Sequence, residues 1–266
     1  MNSPAKSRKV KLEIMRYNPD EDQKPYFQTY DVPCQDEWVL LDAINYIKDE
    51  LDRSLSYRWS CHMAVCGSCG LMVNGVPMLS CHAFIRDMPE HIKVEPMENF
   101  PIIRDLVVEM DGFVEKLAAV KPFIHPKEKR SIDDGCHTQS PEQLMDFQSL
   151  TQCINCMLCY SACPQVALNH DFIGPAAMAL AHRYNLDSRD QGREVRKEVI
   201  ASNKAIWECT FVGACSEVCP KHVDPAAAIQ QAKIAATGDY FKSFLMPWTK
   251  KSSNGKSRND KKGEKS

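Results

Sequence analysis

Val10, Leu12 and Ile14 alternate with Lys11, Glu13 and Met15, the period-two pattern of a half-buried strand. Tyr26 to Val32, aromatic and β-branched, predicts a second strand, with Asn18-Pro19-Asp20 as a turn between them. From Trp38 to Leu51 the spacing becomes helical, with Leu40, Leu41, Ile44, Ile47 and Leu51 on one face. Leu71-Met72-Val73-Asn74-Gly75-Val76 predicts two short strands around an Asn-Gly hairpin. His91 to Glu95 predicts a last strand, stopped by Pro96. This order suggests a small β-grasp domain over residues 1–103, with a cysteine loop ahead of the hairpin.

The pattern changes near residue 100. Leu106, Val107, Met110, Phe113, Val114 and Leu117 form a helical stripe over Arg104 to Val120, expected to cover or link two halves. Residues 121–142 are rich in Pro, Lys, Asp and Gly, including Lys127 to Arg130 and Asp133-Asp134-Gly135, and are expected to be an exposed linker or loop. From Gln143 the patterns are helical, so residues 143–248 are expected to be an all-α domain. The expected fold class is α+β.

At 266 residues the chain has room for two modest domains. Its net charge of −2 suggests no nucleic-acid partner. That balance is uneven: residues 249–266 carry +5 and the remainder −7, so a basic, solvated tail is expected at the C-terminus. Met1 to Val10 lacks a hydrophobic signal core, and stretches such as Gly174 to Leu180 are too short to span a bilayer. The expected location is the cytoplasmic side of a bacterial membrane. Thirteen cysteines in such a compartment point to metal or redox chemistry, not to a disulfide framework.

Eleven of the thirteen fall into three groups. Cys61-x4-Cys66-x2-Cys69, with Cys81 further on, has the plant-type ferredoxin spacing of a [2Fe–2S] centre. Glycines in Cys66-Gly67-Ser68-Cys69-Gly70 let the backbone wrap tightly and aim N–H groups at sulfur. Cys153-x2-Cys156-x2-Cys159-x3-Cys163-Pro164 is the bacterial ferredoxin run, whose fourth cysteine ligates the other cluster. The second run, Cys209-x5-Cys215-x3-Cys219-Pro220, has Val212 where a cysteine would stand. The crossed pattern assigns Cys153, Cys156, Cys159 and Cys219 to a [4Fe–4S] centre. It leaves Cys163, Cys209 and Cys215 for a [3Fe–4S] centre, because valine cannot ligate iron. A [4Fe–4S] cluster with one iron not bound by cysteine is the alternative at the third site, as zinc is at the first. Cys34 and Cys136 lack partners at ligand spacing and are expected to be ordinary thiols. His62, His82, His125, His137 and His170 are not expected to be ligands.

A plant-type group followed by a bacterial-type pair missing one cysteine resembles the iron–sulfur subunit of succinate dehydrogenase and fumarate reductase. The likeness covers roughly residues 8–246 and includes Ser56 to Cys61, Phe172-Ile173-Gly174-Pro175-Ala176, Ala181-His182-Arg183-Tyr184 and Cys219 to Pro225. Cys163 to Asn169 has no aromatic residue, unlike the Trp-containing segment of the succinate dehydrogenase branch. With Phe211-Val212-Gly213 and Ala228 to Lys233, it looks more like the enterobacterial-type quinol–fumarate reductase.

The resemblance implies an electron relay between (mena)quinol and a FAD-bearing flavoprotein subunit that reduces fumarate to succinate, with no dicarboxylate chemistry on this chain. It implies one or two hydrophobic membrane-anchor subunits, and a peripheral position on the inner membrane. It also implies that Gln230 and Lys233 lie beside the quinone, where an ammonium can stabilise negative charge developing on a quinone oxygen. Competing readings are succinate oxidation in the reverse direction, a free ferredoxin-like carrier, and a subunit of another quinone-linked dehydrogenase.

Overall fold

The computed structural model describes residues 7–126 and 131–245. The basic tail over 249–266 and the run Lys127 to Arg130 lie outside the described residues. β1 (Ser7–Arg16) and β2 (Tyr26–Gln35) pair antiparallel, with Val10 opposite Val32 and Leu12 opposite Tyr30. The turn between them is closed by the N–H groups of Glu21 and Asp22 on the Asn18 carbonyl. Alternation works as expected: Val10, Leu12, Ile14, Val32 and Cys34 are buried while Lys11 and Asp31 are exposed.

α1 (Leu40–Tyr46) runs into a wider π turn at Ile47–Leu51 and lays Leu40, Ala43, Ile44 and Ile47 on the sheet. The widened turn carries Leu51 off that face, leaving it 48% exposed, contrary to the expected stripe. Leu55 enters the core instead. β3 (Gly70–Val73) and β4 (Val76–Leu79) form the hairpin, with Asn74 and Gly75 both at positive φ. β5 (His91–Glu95) runs parallel to β1 and antiparallel to β3, giving the sheet order β2-β1-β5-β3-β4.

The helix expected over Arg104 to Val120 is not formed as such. Its first part is a hairpin, β6 (Ile102–Arg104) with β7 (Val107–Val108), and helix begins only at α2 (Asp111–Ala119). The cause is Asp105, at φ 45° and buried. Its carboxylate accepts from Arg16 Nε at 3.0 Å, from the Tyr17 N–H at 3.0 Å and from the Ser56 N–H at 2.8 Å. Those long-range tethers hold a turn that a local apolar stripe cannot override.

The described residues after Val108 contain no strand. Among the described residues seven α-helices follow α2: α3 (Pro141–Met145), α4 (Leu158–Ser161), α5 (Pro164–Leu168), α6 (Pro175–Leu186), α7 (Arg193–Ile200), α8 (Ala214–Glu217) and α9 (Pro225–Leu245). α3 starts two residues ahead of Gln143, behind a capping box of Ser140 and Gln143. The described parts of 121–142 are exposed or half-buried, as expected of a loop, but their first residues are anchored. Fully buried Arg196 donates to the carbonyls of Lys121 and Phe123 and pairs with Asp190 at 2.8 Å, while the His125 N–H donates to Asp190. The two halves share a core in which Val39, Leu41, Leu79, Met97 and Phe113 pack with Leu158, Tyr160, Val166 and Phe172.

Candidate functional site

The Cys61 loop is built to collect N–H groups around sulfur. His62 and Ala64 take positive φ, and the N–H groups of Met63, Val65 and Cys66 point at Cys61 Sγ at 3.4, 3.4 and 3.3 Å. Ala64 N–H points at Cys81 Sγ at 3.3 Å, and Ser68 N–H at Cys66 Sγ at 3.5 Å. The N–H groups of Met63, Val65 and Cys66 lower the Cys61 pKa to about 6. Burial and then the neighbouring Cys69 push the Cys81 thiol up to about 12. So the loop brings together Cys61, Cys66, Cys69 and Cys81. Trp59, Met63 and Val65 are exposed around it, with Met63 at 70%.

The two later groups interlock. One cavity is lined by Cys153, Cys156, Cys159 and Cys219. A second is lined by Cys163, Cys209 and Cys215, with Val212, Phe211, Gln165 and Ile229. Each run thus sends its last cysteine to the other run's cavity. The reason is geometric: the short helices α4 and α8 carry Cys163 and Cys219 away from the loops that precede them.

Backbone conformation shows where the missing thiol belongs. In the first run Asn155 and Met157 take positive φ on either side of Cys156, and α4 follows. In the second, Phe211 and Gly213 take positive φ on either side of Val212, and α8 follows. Val212 therefore occupies the place of Cys156. Its side chain is 61% exposed and borders the second cavity.

The donor chemistry fits iron–sulfur clusters. Burial raises the pKa of Cys156 and Cys215 to about 11 each and pushes the Cys159 thiol well above its ordinary value, with neighbouring cysteines adding to each shift. Thiolates crowded in this way require a compensating cation charge, which bound iron supplies. Among the described residues, no three His, Cys, Asp or Glu converge on a single-ion position. Cys34 is a core thiol raised to about 11 by burial, and Cys136 is exposed. None of His62, His82, His125, His137 and His170 lines either cavity.

Each site adjoins the next. A Cβ built on Gly67 would meet Cys156 Cβ at 2.9 Å, so the first loop rests on the second site's loop. The second and third sites share the interlocked α4 and α8, and Cys159 feels the charge of Cys215.

Gln230 and Lys233 lie on α9. Lys233 Nζ donates to the Cys209 carbonyl at 2.7 Å, which puts it at the third site. Gln230 does not line that cavity; its Nε2 is buried and finds no partner among the described residues.

Sequence reasoning missed Gly67 as a contact residue, and it missed Trp207. Trp207 is exposed two residues before Cys209 and borders a groove of about 730 Å³ with His182, Asn185, Ala236 and Tyr240. That groove contains no cysteine and is not a cluster site. Only packing of α6, α7 and α9 creates it, so no local motif could have revealed it.

Residues 11–115 match the family of the 2Fe-2S iron-sulfur cluster binding domain, and residues 149–223 that of the 4Fe-4S dicluster domain. The chain is 54% identical over 243 residues to a fumarate reductase iron-sulfur subunit of Escherichia coli O6:H1, covering 91% of this chain and 99% of the relative. It is 35% identical to a succinate dehydrogenase iron-sulfur subunit of Coxiella burnetii, covering 83% of this chain and 94% of that one. A chain in the solved Mycobacterium smegmatis Sdh1 complex in the apo form superposes with a TM-score of 0.80 at 25% identity, covering 89% of this chain and 98% of the other.

Proposed function

The chain belongs to the family of fumarate reductase and succinate dehydrogenase iron–sulfur subunits, and from that membership we propose that it relays electrons from a membrane quinol to a flavoprotein subunit that reduces fumarate. The observation that carries this reading is the set of three adjoining cysteine sites, in which the Gly67 loop touches the Cys156 loop and the second and third sites share interlocked helices. Iron–sulfur clusters, when bound, supply single-electron transfer.

Cys61, Cys66, Cys69 and Cys81 would hold the [2Fe–2S] group. Cys153, Cys156, Cys159 and Cys219 would hold [4Fe–4S], and Cys163, Cys209 and Cys215 would hold [3Fe–4S]. N–H groups of the Cys61 loop stabilise negative charge on its sulfurs without a proton having to move. Val212 keeps a fourth thiolate from the third site.

The first and third sites suit different partners. At the first site the exposed Trp59, Met63 and Val65 would meet the FAD-bearing subunit. At the third, exposed Trp207, Phe211, Val212 and Ile234 would meet the membrane anchors, so the chain would sit peripherally on the cytoplasmic face of the inner membrane. None of the described helices is long and apolar enough to cross a membrane. Gln230 and Lys233 would lie on the quinone side, and the unpartnered Gln230 Nε2 supports a ligand or partner group there. Charged and amide groups orient a quinone; the dicarboxylate chemistry belongs to the flavoprotein. The 54% identity to a fumarate reductase subunit, against 35% to a succinate dehydrogenase subunit, supports the fumarate reductase branch.

Electron paramagnetic resonance of the purified complex before and after dithionite, with quinol:fumarate and succinate:quinone assays, tests the reading. Three distinct cluster signals and a rate favouring quinol-driven fumarate reduction are expected. A complex without a three-iron signal in the oxidised state, or without quinol-driven turnover, would overturn it.

A further inference from the structure

The C-terminal half of α9 has one side held and another side exposed. Asp239 pairs with Arg193 at 3.2 Å and with Lys197 at 3.4 Å, so α7 grips the helix on that side. By helical spacing Ile234, Phe241, Phe244 and Leu245 fall within about 100° of one another and about 120° or more from Asp239. All four are exposed, Phe244 at 73%. Large apolar side chains gathered on one exposed face mark a contact surface. The helix is not long and apolar enough to cross a membrane, so a lipid contact by this stripe lies along the surface.

The chain that follows says what covers the stripe. Residues 249–266 carry seven lysines and arginines against two carboxylates, a net +5. They begin four residues after Leu245, at most about 14 Å along the backbone. Between them stand Met246, Pro247 and Trp248, and tryptophan favours the headgroup level of a bilayer. An apolar face joined to a polybasic segment supplies the two signals that bind an anionic lipid surface stably, where either alone binds weakly. Like charge argues against other occupants. A second copy would bring +5 against +5. Cytoplasmic loops of membrane-spanning subunits carry an excess of lysine and arginine, so they repel this segment too.

Resting on the reading that the chain sits peripherally on the membrane, we propose that the C-terminal half of α9 and residues 246–266 bind the anionic phospholipid surface directly. The stripe takes the headgroup and upper acyl layer, and the basic segment takes the phosphates. The chain thus has a membrane contact of its own, besides the one its partner subunits give it.

The test uses the whole complex reconstituted in nanodiscs of phosphatidylcholine, alone or in equal parts with phosphatidylglycerol. Both contain a trace of phosphatidylcholine with a diazirine on its acyl chain, and photolabelled peptides are identified by mass spectrometry. Labelling within residues 234–248 is expected, about tenfold stronger with phosphatidylglycerol, the gain that one or two basic residues held at an anionic surface supply. Replacing the seven basic residues of 249–266 with glutamine should remove that gain. Phe244→Ser with Leu245→Ser should lower labelling in both discs. Cluster signals and quinol-driven turnover should stay at wild type in each variant. Equal labelling in the two discs, or a gain that survives the glutamine replacement, would overturn the proposal. So would an unlabelled α9 end, the result expected where an anchor subunit, a second copy or the basic segment itself covers the stripe. A complex that purifies without membrane anchors would remove the peripheral reading instead, and labelling of α9 on phosphatidylglycerol vesicles decides the present proposal by the same outcomes.

Discussion

Gly67 lies so close to Cys156 that a Cβ on it would fall 2.9 Å from the cysteine's Cβ, 3.0 Å from its Cα and 3.0 Å from the Ile154 carbonyl oxygen. All three are atoms that cannot swing away. The φ of +76° adds a second reason for glycine. The loops of the first and second sites are thus in direct backbone contact.

Gly67→Ala should force the two loops apart. In assembled complex, the magnetic interaction between the reduced first and second centres should weaken, read as a change in the microwave-power saturation of the [2Fe–2S] signal. Gly75→Ala is the control. It shares a φ of +80° but has nothing within 4 Å, so it should show only the roughly 1–3 kcal/mol of backbone strain. Unchanged saturation in Gly67→Ala with both clusters present would mean that this contact does not set their spacing.

Val212→Cys places a thiol where the backbone repeats the Cys156 position. It should convert the three-iron signal of the oxidised protein into a [4Fe–4S] centre of lower potential, since a fourth thiolate adds negative charge. A three-iron spectrum identical to wild type would place the vacant corner elsewhere.

The interlocking of the two runs predicts how cysteine losses sort. Cys219→Ala should damage the [4Fe–4S] signal although Cys219 follows Cys215 by only four positions, because it lines the other cavity. Cys81→Ala should strike the [2Fe–2S] signal alone. Loss of only the three-iron signal in Cys219→Ala would contradict the crossed ligand sets.

Arg16 should matter for stability before it matters for electron transfer. It is buried between Asp105 and Asp52 and also donates to Tyr30 and Ser54. Arg16→Met strands the buried carboxylate of Asp105, at a cost of about 3–5 kcal/mol, visible as a lower Tm. Because Asp105 also holds the Ser56 N–H, the [2Fe–2S] signal should broaden as well.

The same network carries a pH signature. Burial alone would raise the Asp52 pKa, but hydrogen bonds from Ser54, Tyr30 and Arg16 take it well below the usual carboxylate range. A depressed folded pKa contributes stability above the unfolded value of about 3.9, and that contribution is lost as pH falls towards the folded value. Wild-type Tm should therefore drop below about pH 4, and the Arg16→Met curve should be flatter there. Parallel curves would show that Arg16 does not hold Asp52 ionised.

Much of this protein was legible from residue order alone, because its chemistry depends on short-range spacing. Three cysteine groups, the Cys-Pro endings and Val212 in a cysteine's place announce clusters without any fold, since a cluster loop is a local backbone structure. Alternation over Val10 to Ile14 and the Asn74-Gly75 turn were readable for the same reason: strand period and turn dihedrals are properties of neighbouring residues. Tertiary structure decided what distant residues impose. Asp105, held by Arg16 and by the Tyr17 and Ser56 N–H groups, made a hairpin where an apolar stripe predicted helix. Arg196 and Asp190 tied down the start of a stretch whose composition predicted only an exposed linker or loop. The approach of Gly67 to Cys156, and of Lys233 to the Cys209 carbonyl, joins positions 89 and 24 residues apart. Such contacts come from packing of whole elements, which no window of sequence contains.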